Sequence, residues 1–320
     1  MELTAIVPAT DAPAQLSRVV AAIRAADDPP EELIVVETAE QPGPAAARNA
    51  GAAQARGEVL VFVDADVLPR RDAFRRIRAA FEADPRLVAV FGSYDDAPEA
   101  AGAVSGFRNL LHHFVHQHAG GDAETFWAGL GAMRSDAFRR VGGFDARRYP
   151  EPSIEDIDLG LRLAGAGAEL RLDPALQGTH LKRWTLRQMI LTDFHRRGVP
   201  WVALMARTGT APTGLNLGWR HRLSALASVT LTGSLVARRP RAASAALGAL
   251  LVLNAPFYAL LARKRGPAQA AAGVGLHVVH HLTAVCAVPV GLLVSRGSGR
   301  ALLRGRPRRP LPPRDTRPRC

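Results

Sequence analysis

The sequence predicts an α/β fold, a mostly parallel sheet flanked by helices, followed by C-terminal membrane helices. Three observations carry this. Short apolar runs alternate with segments of helical periodicity over the first half of the chain. One of these runs, Val59–Leu68 (VLVFVDADVL), is continuously apolar until two carboxylates, Asp64 and Asp66, interrupt it with the small Ala65 between them. After Arg222 the composition turns to long uncharged stretches.

The elements follow in order. Leu3–Val7 reads as a first strand stopped by Pro8, and Ala14–Ala26 places Leu16, Val19, Val20 and Ile23 at helical spacing until Asp27-Asp28-Pro29-Pro30 breaks it. Glu32–Glu37 (ELIVVE) is a second strand that ends in a carboxylate. Ala45–Ala55 is an Ala-rich helix carrying Arg48 and Asn49. Val59–Asp64 is the third strand. Arg70–Asp84 is an amphipathic helix on Phe74, Ile77 and Phe81, and Leu87–Phe91 is the fourth strand. Such alternation implies right-handed crossovers.

An apolar run of this kind suits a strand covered on both faces, and open α/β sheets bind ligands outside the carboxyl ends of their strands. Asp64 and Asp66 therefore stand where a ligand would sit. Hard oxygen donors suit Mg²⁺ or Mn²⁺; the plainer reading is a strand-end Asp that caps the next helix. Arg48 is a candidate phosphate contact, with ordinary surface charge as the alternative for it and for Glu37.

Ala100–His118 reads as a helix with His112 and His116 on one face. No H-E-x-x-H pattern accompanies them, so a polar face is preferred to a zinc site. Phe126–Met133 is apolar and Gly-rich, which lets backbone approach a ligand. Ser135–Val141 is a short helix and Gly142–Asp145 a turn. Ser153 and Asp156 resemble a capping box opening the helix that holds Leu159, Leu161 and Leu163. Glu155-Asp156 is then either a helix cap or a source of a general base. Glu169–Asp173 is a short strand. His180-Leu181-Lys182-Arg183-Trp184 joins a possible ligand, cations and an aromatic, the surroundings a diphosphate needs, and Thr185–Arg197 is an amphipathic helix.

The 320 residues carry a formal net charge of +12, which points to an anionic partner. Cys286 and Cys320 form neither a disulfide framework nor a metal motif, which fits a reducing compartment. The N-terminus shows no signal-peptide pattern. Ala242–Ala262 and Ala268–Ser295 each reach the roughly 20 residues that cross a bilayer. Two crossings keep Arg238, Arg239, Arg241 and the Arg-rich tail on the side of the catalytic domain, at the cost of placing Arg263-Lys264-Arg265 outside. Buried helices of a soluble bundle are the alternative. The expected organisation is a domain over residues 1–200, an interfacial linker over 201–241, two spans within 242–295 and a basic disordered tail over 296–320. The arginines of that tail are not interleaved with aromatics, which argues against nucleic acid.

Taken as an ordered set, these segments resemble the family 2 glycosyltransferases of GT-A type. The pieces are AIVPA, ELIVVE, GPAAARNAGAAQARGEVLVFVDAD, GLGAMRSDAFRRVGGFD and EDIDLGLRL, across Leu3–Trp184. The resemblance implies a metal-dependent, inverting transfer from a nucleotide-sugar donor. Ala9 and Glu37 would line the nucleobase and ribose site, and Asp64, with Ala65 and Arg48 beside it, would contact the nucleotide. Asp66 would bind Mg²⁺ or Mn²⁺ on the diphosphate, with His180 as an additional metal ligand. Asp156 would be the catalytic base, and Glu155, Arg183 and Trp184 would face acceptor or diphosphate. The implied acceptor is a lipid or lipid-linked molecule, at a cell membrane crossed more than once, with the catalytic domain cytoplasmic. The departures are Glu37-Thr38 in place of paired Asp, Thr10-Asp11 in place of aromatic-Asn-Glu, and His180 where processive synthases have Gln. The departures at Glu37 and Thr10 favour a second reading, a non-catalytic nucleotide-sugar-binding membrane protein; the His180 replacement, with only two expected spans, argues against a polysaccharide-extruding channel. Oligomeric state is not legible.

Overall fold

A computed structural model describes residues 1–11, 14–209 and 218–302, with side chains placed as far as Arg296. The strands are β1 Leu3–Pro8, β2 Glu32–Val36, β3 Val59–Val63, β4 Val67–Pro69, β5 Leu87–Tyr94, β6 Gly121–Ala123, β7 Leu130–Arg134 and β8 Glu169–His180. The helices of the N-terminal part are α1 Leu16–Arg24, α2 Pro44–Gln54, α3 Ala73–Ala83, α4 Ala103–Gln117, α5 Ser135–Arg140 and α6 Glu155–Gly165. One sheet takes the order β2-β1-β3-β7-β5-β8-β4, with β6 paired to β8. β1, β2 and β3 are mutually parallel; β7 runs against both β3 and β5, and β5 is parallel to β8. β1, β2, β3, β5 and β8 therefore share one direction, and β7 and the three-residue strands β4 and β6 run against it.

Alternating side chains give the sheet two cores. Leu60 and Phe62 of β3 join Ile6, Phe91, Phe126, Phe138, Phe144 and Leu159 on one face. Val59, Val61 and Val63 join Val7, Ile23, Phe74, Ile77 and Phe81 on the other. Every residue of β3 is buried, which explains its unbroken apolar run. Each fully buried Val, Leu or Phe contributes about 1.5–3 kcal/mol.

Several expectations are revised. Beyond Asp173 the strand continues to His180, because Gly92 admits Leu176 beside it; a Cβ on Gly92 would lie 2.0 Å from the Leu176 carbonyl oxygen. β4 forms immediately after Asp66 against that extension. The capping box at Ser153 does not form: Ile154 is the N-cap of α6, and Glu155 accepts the Ser153 backbone N–H instead. The segment expected as one helix over Thr185–Arg197 is α7, Leu186–Leu191, then a π-helical turn, Thr192–Gly198.

The C-terminal part holds α8 Val199–Thr208, α9 Trp219–Val236, α10 Pro240–Leu253, α11 Ala255–Arg265 and α12 Pro267–Leu302. The span expected over 242–262 is not one straight helix: it breaks at Asn254, and α10 and α11 meet at 73°. α11 packs Phe257, Tyr258, Leu260 and Leu261 on Phe107, Leu110, Leu111 and Phe114 of α4. Lys264 pairs with Asp96 at 2.6 Å, and Arg265 donates to the carbonyls of Pro98 and Ala100 at 2.8 and 3.0 Å. Lys264 and Arg265 thus lie against the N-terminal domain, not on an opposite side as the two-crossing topology required. Among the described residues one helix, Pro267–Arg296, is by itself long and apolar enough to cross a membrane. Cys286 is a free, exposed thiol. The basic tail from residue 303, with Cys320, lies outside the described residues.

Candidate active site

The carboxyl ends of β1, β2 and β3 lie side by side. Ala9 follows β1, buried, and donates its N–H to the Val36 carbonyl at 2.8 Å. Glu37 follows β2 and is exposed. Asp64, Ala65 and Asp66 bridge β3 and β4, and Asp64 N–H bonds the Gly129 carbonyl at 3.0 Å. This places the D-x-D carboxylates against the loop between β6 and β7.

Arg48 reaches this edge from α2. Its Nη2 donates to Asp64 Oδ1 at 2.6 Å and its Nη1 to Glu155 Oε1 at 2.9 Å. It is buried and lies over the Phe144 ring. The guanidinium expected to contact phosphate is paired here with two carboxylates and ties the end of the third strand to α6. Burial opposes its charge, but Asp64, Glu155 and Asp156 outweigh that and raise its pKa. Burial, helped by Asp66 and Glu155, holds the Asp64 carboxyl above the ordinary range despite Arg48. The neighbouring Asn49 clamps the backbone of Phe144, donating to its carbonyl at 2.8 Å and accepting its N–H at 2.9 Å. Two successive side chains of α2 thus organise both the acidic edge and the turn after α5.

Asp156 stands in the first turn of α6. Its Oδ2 accepts the Ala128 N–H at 3.2 Å and its Oδ1 the Ile157 N–H at 2.8 Å. Burial, then the charge of Glu155, pushes its pKa up to about 7, where a carboxylate can take a proton near neutrality. α6 lies close to the loop because Gly160 has no side chain: a Cβ there would fall 2.3 Å from the Phe126 nitrogen and 2.5 Å from the Thr125 carbonyl carbon. Both are backbone atoms that cannot step aside. Gly160→Ala is expected to push α6 off the loop, lower stability by about 1–3 kcal/mol and weaken the Asp156–Ala128 bond; urea unfolding with matched transfer assays checks both.

The pairing of Val67 with His180 sets the second half of the site. It brings Leu181 N–H to the Asp66 carbonyl at 2.9 Å and His180 Nε2 to 3.4 Å from Asp66 Oδ2. His180 Nδ1 is 2.6 Å from Asn109 Oδ1, an acceptor, so Nδ1 donates to it and Nε2 is the ring nitrogen that faces Asp66. Burial works against the Asp66 charge, but His180 and Lys182 overcome it and hold the carboxyl below its usual range. One imidazole nitrogen and one carboxylate oxygen make a donor set that fits a divalent cation whose other ligands are water and diphosphate. Among the described residues, no group of three or more His, Cys, Asp and Glu side chains could hold a cation.

Aromatic rings back this wall. Tyr94 stacks on His180 with centroids 4.3 Å apart and planes at 9°, and Trp127 meets Tyr94 edge-on at 4.9 Å. His112 lies 4.7 Å from Trp127 and 3.9 Å from His116. His116 Nδ1–H is given to the Gly92 carbonyl at 2.9 Å. His112 and His116 are therefore packing groups, and burial drives the pKa of each down, that of His116 to about 4. Gly129 and Gly131 leave room for the Trp127 and Phe126 rings. Arg183 is exposed, whereas Trp184 lies under Lys182 Nζ at 4.6 Å and the Arg108 guanidinium at 4.9 Å. Tyr94, Asn109, Arg108 and Trp127 were not singled out from sequence; Tyr94 ends a strand, Arg108 and Asn109 lie in a helix and Trp127 in a loop, and local spacing does not specify their neighbours in space.

The family model described as glycosyl transferase family 2 matches residues 33–142, the stretch that builds β2, β3 and the D-x-D edge. Residues 33–142 therefore carry the family 2 glycosyl transferase pattern. Curated relatives of the chain include the pre-mycofactocin glycosyltransferases of two Mycobacterium tuberculosis strains, CDC 1551 / Oshkosh and ATCC 25618 / H37Rv. Each is 31% identical over 238 residues, 66% of this chain and 48% of the relative. The chain spans about half the length of the curated relatives it matches. Among solved structures, the mannosyltransferase PcManGT from Pyrobaculum calidifontis, in complex with GDP-Man and Mn²⁺, aligns with a TM-score of 0.53 and 20% identity. The alignment covers 90% of this chain and 86% of that one, and it shows the shared GT-A fold.

Proposed function

We propose that this chain transfers a sugar from a nucleotide-sugar donor to a hydroxyl or phosphate of a lipid or lipid-linked acceptor, with inversion at the anomeric carbon. The observation that carries the reading is the single guanidinium of Arg48 held by both Asp64 and Glu155. It ties the D-x-D edge to the Glu155-Asp156 turn, which supports reading the donor-side and acceptor-side acids as parts of one site.

In this reading Ala9 and Glu37 border the nucleobase and ribose, and Asp64 with Ala65 contacts the nucleotide. Asp66 and His180 hold Mg²⁺ or Mn²⁺. When bound, the cation supplies positive charge to the leaving diphosphate. Lys182, Arg183 and Trp184 add cationic and stacking surface beside it. Asp156, fixed by two backbone N–H groups, takes the proton of the acceptor hydroxyl. The freed oxygen forms its bond to the anomeric carbon as the bond to the diphosphate oxygen breaks on the opposite side.

A panel of sugar nucleotides tests this by release of nucleoside diphosphate, with and without chelator. Turnover is expected to stop on chelation and to return with Mn²⁺ or Mg²⁺, and Asp66→Asn is expected to raise the metal concentration needed. Binding by calorimetry with no turnover for any donor would favour the non-catalytic reading instead. The relatives are named for pre-mycofactocin, so the acceptor panel includes it beside lipid phosphates. Membrane attachment through α12 is supported by its length and by exposed Val285, Val288, Val290, Leu292, Leu293 and Val294; a cytoplasmic catalytic domain belongs to the same proposal. Retention in salt-washed membranes and protease mapping of the domain test it.

A further inference from the structure

Trp184 is fixed from an unexpected direction. Its backbone N–H bonds Ser105 Oγ at 2.9 Å, at the start of α4. One turn on, Arg108 lies over its indole ring. Arg108 is itself buried and would be a costly isolated charge. It is met by Asp193, also buried, with Nη1 donating to Oδ1 at 2.7 Å.

The second oxygen of Asp193 has a different partner. His280 of α12 donates its Nδ1–H to Oδ2 at 2.8 Å. Asp193 lies in the π-helical turn, where a widened turn re-aims side chains and often marks a functional position. The seat of α12 on this turn and on α8 is close. A Cβ on Gly198 would fall 2.6 Å from the Ala287 Cβ, and one on Gly291 would fall 2.6 Å from the Val202 Cβ. The carboxylate therefore links groups from two elements: α4, which carries the Trp184 contact, and the apolar helix.

We propose that Asp193 is a positioning residue that couples the seating of α12 to the Trp184 platform, with His280 on one carboxylate oxygen and Arg108 on the other. A buried pair of this kind adds little net stability compared with apolar packing, and its attested use is to fix register. Here the register is that of an apolar C-terminal helix against the wall of the cleft. When α12 is seated, Asp193 holds both partners and Arg108 stays over the indole. When it is not, Arg108 loses its fixed counter-ion geometry and the indole loses one of its two cationic covers.

The consequence for transfer rests on the reading of Trp184 as part of the donor–acceptor cleft. The test uses the full chain in detergent or bilayer discs. His280→Phe removes the donor to Asp193, and His280→Asn restores an N–H in nearly the same place. Trp184 emission and acrylamide quenching are isolated by difference against Trp184→Phe in each background, and donor kinetics are measured alongside. With His280→Phe, Trp184 emission is expected to shift red, its quenching constant to rise about twofold, and the donor KM to rise about tenfold with kcat little changed. His280→Asn should reverse these effects. An unaltered Trp184 signal in both folded His280→Phe and folded Asp193→Asn, with cooperative melting retained, overturns the coupling. A shifted Trp184 signal with unaltered kinetics supports the coupling and overturns the placement of Trp184 in the cleft.

Discussion

Asp156→Asn is expected to lower kcat for transfer by about 10²–10⁴-fold, the range lost when a positioned general base is removed, while nucleotide binding stays within a factor of two. The amide can keep the bond from Ile157 N–H through its oxygen, so α6 should hold its place, but it cannot accept a proton at neutral pH. The same residue sets a pH profile. A base must be unprotonated, and burial holds Asp156 near 7. Wild-type kcat/KM should therefore climb about tenfold per pH unit below that value and level off above it. The residual activity of Asp156→Asn should lack that limb. Stability moves the opposite way. The folded chain binds this proton more tightly than the unfolded chain, whose carboxyl titrates near 3.8. The contribution of Asp156 to folding is thus fully present below that value and is lost as the pH rises through about 7. Normal turnover by the Asn variant would remove the base assignment.

Arg48→Met is expected to be the most destabilising single substitution at the site, by about 3–5 kcal/mol. The methionine fills similar space and leaves Glu155, which is buried, and Asp64 facing each other with no cation between them. The loss should be smaller at low pH, where the carboxyls are protonated, and chemical denaturation at two pH values checks this. A Glu155→Gln change in the Arg48→Met background should recover part of the loss, because one uncompensated charge is removed. If Arg48 were a free phosphate contact, the single variant would instead keep its stability and lose donor affinity.

Much of this was legible in the sequence where burial dictates composition. The unbroken apolar run of Val59–Val63 reports a strand covered on both faces, and the structure has α1 and α3 over one face and α2, α5 and α6 over the other. The D-x-D pair at the end of that strand follows directly, since a charged residue ends a buried run. The Glu155-Asp156 turn was also readable, although its cap geometry was not. Backbone N–H groups of Ser153 and Ile157 choose their partners by local torsion angles, which spacing does not specify.

Long-range register lay beyond the sequence. That His180 meets Asp66 depends on Val67 pairing with His180, in a three-residue strand too short to leave a periodic signal. That Arg48 serves as an internal counter-ion depends on α2 delivering it between β3 and α6, and a surface arginine reads the same in a string of letters. Apolar content announced helices after Arg222 but not their path. Composition records only that 242–262 avoids water. Lys264 on Asp96 and Arg265 on the carbonyls of Pro98 and Ala100 are what turn α11 back onto the catalytic domain. The sequence by itself determined which residues must be buried and which acids lie at the sheet edge, because hydrophobic burial is written locally. Only the tertiary structure decided which charges neutralise one another, because Coulomb partners are chosen by distance in space and not by distance along the chain.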